Sequence, residues 1–93
     1  MKPIVWSAEK NEFLKAERGV SFEDVVFHIQ AGDLMATFDH PNQERYRGQQ
    51  IHVVAIEGYV YLVPFVERED EVFLKTIIPS RKATKRYRGE SDE

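Results

Sequence analysis

The pattern of apolar and polar positions reads first as two helices. Ser7 is a good capping residue, helix formers run from there to about Glu17 with Glu9 in the first turn, and Arg18-Gly19 supplies a stop. The large apolar residues of this run are Phe13 and Leu14, with Trp6 just before the cap, so a peripheral helix is expected. The next pattern is sharper. Ser21 followed by Asp24 has the form of a capping box, and Val20 and Val25 are spaced for a hydrophobic staple. Phe22, Val25, Val26 and Ile29 then recur at i, i+3, i+4 and i+7, the stripe of a helix laid on a core, and Gly32 ends it.

From Leu34 the pattern changes to strands. Leu34 to Phe38 is a short run, followed by the polar loop Asp39 to Gly48. Ile51 to Ile56 and Tyr59 to Val66 are rich in β-branched and aromatic residues, and Glu57-Gly58 between them reads as a tight hairpin. Pro64 cannot donate a ladder hydrogen bond, which predicts an edge, a bulge or an irregularity late in that strand. After the charged turn Glu67 to Glu71, Val72 to Ile78 reads as a fourth strand, stopped by Pro79. Ser80 can cap a short basic helix through about Arg88, leaving residues 88–93 as a flexible acidic tail. The expected architecture is therefore α+β: two N-terminal helices on a mostly antiparallel four-stranded sheet, then a short C-terminal basic helix.

Length and composition bound what such a fold can do. With 93 residues, one domain over 1–93 is expected, since a chain of this size buries roughly 60–68% of its unfolded surface and supports one core. The absence of cysteine removes disulfide scaffolds, thiolate metal sites and thiol nucleophiles. The longest apolar stretch, Tyr59 to Val66, is far short of the ~20 residues of a membrane helix. Met1-Lys2-Pro3 leads into Trp6-Ser7-Ala8-Glu9 without the apolar run of a signal peptide, so a cytoplasmic protein without a membrane partner is expected.

Net charge is −3, which on its own argues against nucleic acid. The distribution argues otherwise. Residues 1–44 hold eight acids and four bases, whereas Lys75 to Arg88 hold six bases and no acid. A local +6 on an acidic body attracts a polyanion within about a Debye length, roughly 8–10 Å at physiological salt.

Metal and conventional acid–base constellations are missing from the pattern. His28, His40 and His52 are spaced by 12 residues with no H-E-x-x-H-like motif, so no metal site is expected and no cofactor is called for. His28 and His52 fall within a helix and a strand and read as packing residues, whereas His40 lies in a polar loop and is a candidate for proton transfer. In the basic segment, Arg81 and Lys82 fall in the first turn of the last helix, where free N–H groups favour an anion. Lys85 follows Arg81, and Arg86 follows Lys82, at i+4, giving two basic stripes. Tyr87 offers either a face for a base or a contact to the sheet. Lys75, set among Phe73, Leu74, Thr76 and Ile77, carries a charge that must reach solvent or a partner.

Several segments in order resemble one family. Trp6 with Glu9-Lys10-Asn11, Arg18-Gly19-Val20-Ser21-Phe22-Glu23-Asp24, Asp39-His40-Pro41-Asn42 with Glu44-Arg45-Tyr46, and Ile77-Ile78-Pro79-Ser80-Arg81-Lys82-Ala83-Thr84 resemble the BrnT-type toxins of bacterial type II toxin–antitoxin systems. The family's Ile-Ile-Ser-Ala-Arg stands here as Ile77-Ile78-Pro79-Ser80-Arg81, and its Lys-His-Gly as Glu17-Arg18-Gly19. The resemblance implies a fold similar to the RelE-like ribonuclease toxins, with helices on one face of an antiparallel sheet. It also implies a partner: an antitoxin with a ribbon-helix-helix part that neutralises the toxin and carries it to operator DNA.

The implied reaction is metal-independent RNA cleavage that inhibits translation, on RNA that is free or ribosome-associated. The RNA 2′-OH attacks the adjacent phosphorus, leaving a 2′,3′-cyclic phosphate, and preorganised cations stabilise the phosphorane. On this reading Arg81 and Lys75 contact the transferring phosphate, Arg45 is a second clamp and His40 moves a proton. Lys82, Lys85, Arg86 and Tyr87 would hold the RNA. The alternative is a non-catalytic module that binds RNA or the antitoxin and acts as a co-repressor.

Overall fold

The computed structural model describes residues 2–88. The chain runs β1 (Ile4–Val5), α1 (Ala8–Arg18), α2 (Phe22–Gln30), β2 (Leu34–Asp39), β3 (Gln49–Ile56), β4 (Tyr59–Glu67), β5 (Val72–Leu74), β6 (Ile78–Pro79) and α3 (Arg81–Arg88). Arg88 is the last residue of α3, and the rest of the expected acidic tail lies outside the described residues. The fold is α+β, with a mixed six-stranded sheet ordered β1-β5-β4-β3-β2 and β6 pairing β4 beside that path.

The helix signals translate directly. The Ser7 side chain accepts from the Lys10 N–H, and Gly19 closes α1 in the left-handed conformation at φ 67°. Ser21 and Asp24 form both halves of the capping box on α2. Two positive φ values, 49° at Glu57 and 87° at Gly58, make the β3–β4 connection the two-residue hairpin that matches strand twist. Leu14, Phe22 and Val25 are fully buried against Val54, Val63 and Leu74, and Trp6 stacks on Phe22 with ring centroids 5.5 Å apart.

Asn11 joins the two helices in a way the apolar pattern does not announce. It is buried, its Oδ1 accepts from the Phe22 N–H at 2.7 Å, and its Nδ2 donates to Glu23 Oε1 at 2.8 Å. One side chain thus satisfies an otherwise unpartnered N–H in the first turn of α2 and holds the Glu23 carboxyl below its ordinary range.

Three expectations need correction. The sheet has six strands rather than four, because β1 adds to one edge, parallel to β5, and the expected strand Val72 to Ile78 is two. It breaks after Leu74, where Ile77 turns into the core and Arg18 Nη1 donates to the Ile77 carbonyl. Pro64 explains the position of the break. Its carbonyl accepts from the Lys75 N–H at 2.8 Å, so its hydrogen-free nitrogen faces the stretch where the neighbouring chain leaves the ladder. Pro79 does not stop the strand but ends β6, an edge where its missing N–H is harmless.

The third correction concerns layers. Val54 and Ile56 of β3 pack with α1 and α2, whereas the alternate residues Val53 and Ala55 pack with Ala83 and Tyr87 of α3. Strand side chains alternate between faces, so α3 lies on the opposite face from the first two helices. The helices do not share one face; the sheet is covered on both.

Candidate nucleic-acid interface

The basic helix is fixed to the sheet at its start. Ser80 Oγ accepts from the Ala83 N–H at 3.0 Å as a helix cap, and the Ser80 N–H donates to the Val60 carbonyl at 3.1 Å. Thr84 Oγ1 accepts from the Val60 N–H at 2.9 Å and donates to the Ser80 carbonyl at 2.7 Å. Thr84 is not among the residues that charge or apolar spacing singles out, because its value lies in a non-local bond to β4. Its spacing four residues after a capping serine is the signal that was present.

With Ala83 and Thr84 turned inward, Arg81, Lys82, Lys85 and Arg86 are exposed. Among the described residues, none of these four, nor Lys75 or Arg45, forms an ion pair. Tyr87 makes the sheet contact weighed for it: half-buried, it packs toward Val53 and Val60, and it also lines an open groove. This groove, about 220 Å³, runs between α3 and β2, with Val53 and Leu62 on its lining and Phe38, Lys82, Arg86 and Tyr87 around them. Arg86 lies over the Tyr87 ring, 5.7 Å from its centroid.

Lys75 is exposed and directly follows the end of β5. Its register opposite Pro64 follows that of Leu74 opposite Phe65, so it points to the α3 face. Anchor points along β4 locate the candidates relative to one another. Arg81 follows Ser80 at Val60, Lys75 is held at Pro64, and the His40–Arg45 loop returns to the sheet at Gln49, opposite Val66. At about 3.3 Å per residue, Lys75 is displaced from Arg81 by roughly 13 Å along the strand and the loop by roughly 20 Å. Two long cationic side chains can close the first interval; His40 and Arg45 form a separate cluster.

That cluster is ordered by its own hydrogen bonds. Gln43 Nε2 donates to the carbonyls of His40 and Gln49, both at 3.0 Å, and Asn42 Oδ1 accepts from the Arg45 N–H at 3.1 Å. The His40 ring packs on Tyr46 at 4.3 Å between centroids, and the Arg45 guanidinium lies 5.5 Å from the same ring. His40 Nδ1 accepts from the Asn42 N–H at 3.0 Å. In the neutral ring this places the proton on Nε2.

A larger cleft, about 400 Å³, lies on the opposite face and includes Thr37, Gln50, His52 and Phe65. His52 stacks on Phe65 at 4.0 Å, and its Nδ1 is 2.8 Å from Thr37 Oγ1. Burial lowers the His52 pKa. The cation of this cleft, Lys2, is already paired with Glu67 at 2.9 Å, so size favours this cleft but charge favours the groove beside α3. His28 is engaged with Asp33 at 2.9 Å. Among the described residues no three histidine or acidic side chains group as a metal would require, and no helix is long and apolar enough to cross a membrane. No family model, curated protein or solved structure matches the chain.

Proposed function

We propose that the protein is the toxin of a type II toxin–antitoxin module, a cytoplasmic, metal-independent endoribonuclease whose RNA-binding surface is the α3 face. What carries the reading is α3 itself: bolted to Val60 through Ser80 and Thr84, it presents four cations that have no acidic partner among the described residues. An acidic body bearing a basic element that is anchored to the sheet and has no acidic partner among the described residues suits a polyanion.

Cleavage proceeds on this reading as the 2′-oxygen bonds to phosphorus and the bond to the 5′-oxygen breaks. The 2′-OH proton passes to a base, and the departing oxygen takes a proton in return. Arg81 and Lys75 stabilise the extra negative charge of the phosphorane, and Lys82, Lys85, Arg86 and Tyr87 hold the strand. His40 and Arg45, in their separate cluster roughly 20 Å along the strand from Arg81, bind a neighbouring stretch of the RNA rather than the reacting phosphate. A ribbon-helix-helix antitoxin neutralises the toxin and brings it to operator DNA.

The test is inducible expression with and without an antitoxin gene, with RNA 3′-ends analysed for 2′,3′-cyclic phosphate. Rapid translation arrest with new cyclic-phosphate ends supports the reading; unimpaired growth with intact RNA at full expression refutes it. The separation of the His40–Arg45 cluster from Arg81 favours one second reading, a non-catalytic RNA- or antitoxin-binding co-repressor. That reading predicts RNA or antitoxin binding without new ends.

A further inference from the structure

We propose that the groove between α3 and β2 is a clip for one unpaired nucleobase of single-stranded RNA. Phe38 is the ring supplied by the sheet, and Lys82 and Arg86 hold the flanking phosphates. The proposal rests on reading α3 as an RNA-binding element and adds a subsite and a residue, Phe38, that the reading does not otherwise use.

The placement of Phe38 depends on an irregularity in β2. Leu34 pairs with Val54 but Ala36 pairs with Val53, so Met35 is an extra residue in the ladder. In an unbroken ladder Ala36 would oppose His52 and Phe38 would oppose Gln50, and both side chains would point to the face of α1 and α2. A shift of one residue reverses the face of everything that follows. With the bulge, Ala36 packs toward α3, and Phe38, opposite Ile51, turns into the groove. Bulges that re-aim a side chain are frequent beside functional sites.

Ala36 alone would explain a bulge that serves packing, but Phe38 is not packed away. It is 40% exposed, facing a groove whose other walls carry Tyr87, Lys82 and Arg86. An aromatic ring left half in water beside two cations that have no acidic partner among the described residues is what a base with its phosphates covers: the ring stacks and the cations pair. The groove, at about 220 Å³, is smaller than the roughly 300–1,000 Å³ of clefts that enclose a drug-sized ligand, so it suits one heteroaromatic ring. Only an unpaired base can enter, because a duplex keeps its base faces stacked within the helix.

The test uses the full chain and fluorescein-labelled oligouridylate and oligoadenylate, each single-stranded and as their mutual duplex, read by anisotropy. Phe38→Ala is expected to weaken single-strand binding about tenfold or more, the equivalent of about 1.4 kcal/mol or more. Its melting temperature and its log–log salt slope should stay unchanged, because Phe38 contacts no phosphate. Phe38→Trp should bind as the parent does, with its indole fluorescence quenched by RNA. Unchanged affinity in Phe38→Ala while Lys82→Gln and Arg86→Gln weaken binding overturns the clip and leaves the RNA-binding reading standing. Equal affinity for duplex and single strand also overturns the clip. No binding of either RNA by the unsubstituted chain overturns both.

Discussion

The backbone N–H of Val60 donates to Thr84 Oγ1 at 2.9 Å, tying the start of the central strand β4 to the second turn of the basic helix. Because Ser80 also bonds the Val60 carbonyl, one residue of the sheet fixes both the position and the direction of α3. Thr84→Val keeps the volume and removes the acceptor, leaving the amide of a fully buried residue unpartnered. A loss of about 1–3 kcal/mol is expected in urea unfolding at unchanged m-value, and Thr84→Ser should retain most of the stability.

Asn11→Ala should act at the other side of the molecule. It orphans the Phe22 N–H in the first turn of α2, and a cost of about 1–3 kcal/mol is expected from denaturation. The same variant releases the Glu23 carboxyl from its hydrogen bond, so an NMR titration should show its pKa rising toward the ordinary 4.5.

These two anchors mark the limit of what the chain's patterns disclose. Local signals placed all three helix caps, Ser7, Ser21 and Ser80, and the Glu57-Gly58 hairpin, because a cap or a turn is decided by neighbours a few residues away. β1 is two residues long and exists through pairing with a strand far along the chain, so it leaves no periodic trace. The division of residues 72–79 into β5 and β6 depends on Pro64, in a different strand. At the candidate site, the two basic stripes were legible from helical spacing. Phe38 was not, because its face depends on a bulge at Met35 that only the register with β3 defines.

His52 gives the fold a pH dependence. Burial beside Phe65 lowers its folded pKa below the ordinary 6.5, so the unfolded chain binds the proton more readily than the folded one. Its contribution is fully present above about pH 6.5, falls as pH drops below that value, and levels off once the folded pKa is passed. His52→Gln should flatten this part of the stability profile, measured as the urea midpoint between neutral and mildly acidic pH.

Lys82 and Arg86 should reveal themselves through salt. If each contacts one phosphate of single-stranded RNA, Lys82→Gln and Arg86→Gln should each make the slope of log affinity against log salt shallower by about 0.7. Lys15→Gln, whose ammonium is paired with Glu12 on α1, should leave the slope unchanged.

The central claim, that the α3 face is the site of RNA cleavage, is tested most directly by Arg81→Ala. Arg81 is exposed at the start of α3 and is not among the buried residues, so its removal should leave the thermal melt intact. The account predicts that the folded variant no longer produces 2′,3′-cyclic phosphate ends and no longer arrests growth. A folded Arg81→Ala protein that cleaves RNA and arrests growth as the parent does would contradict it.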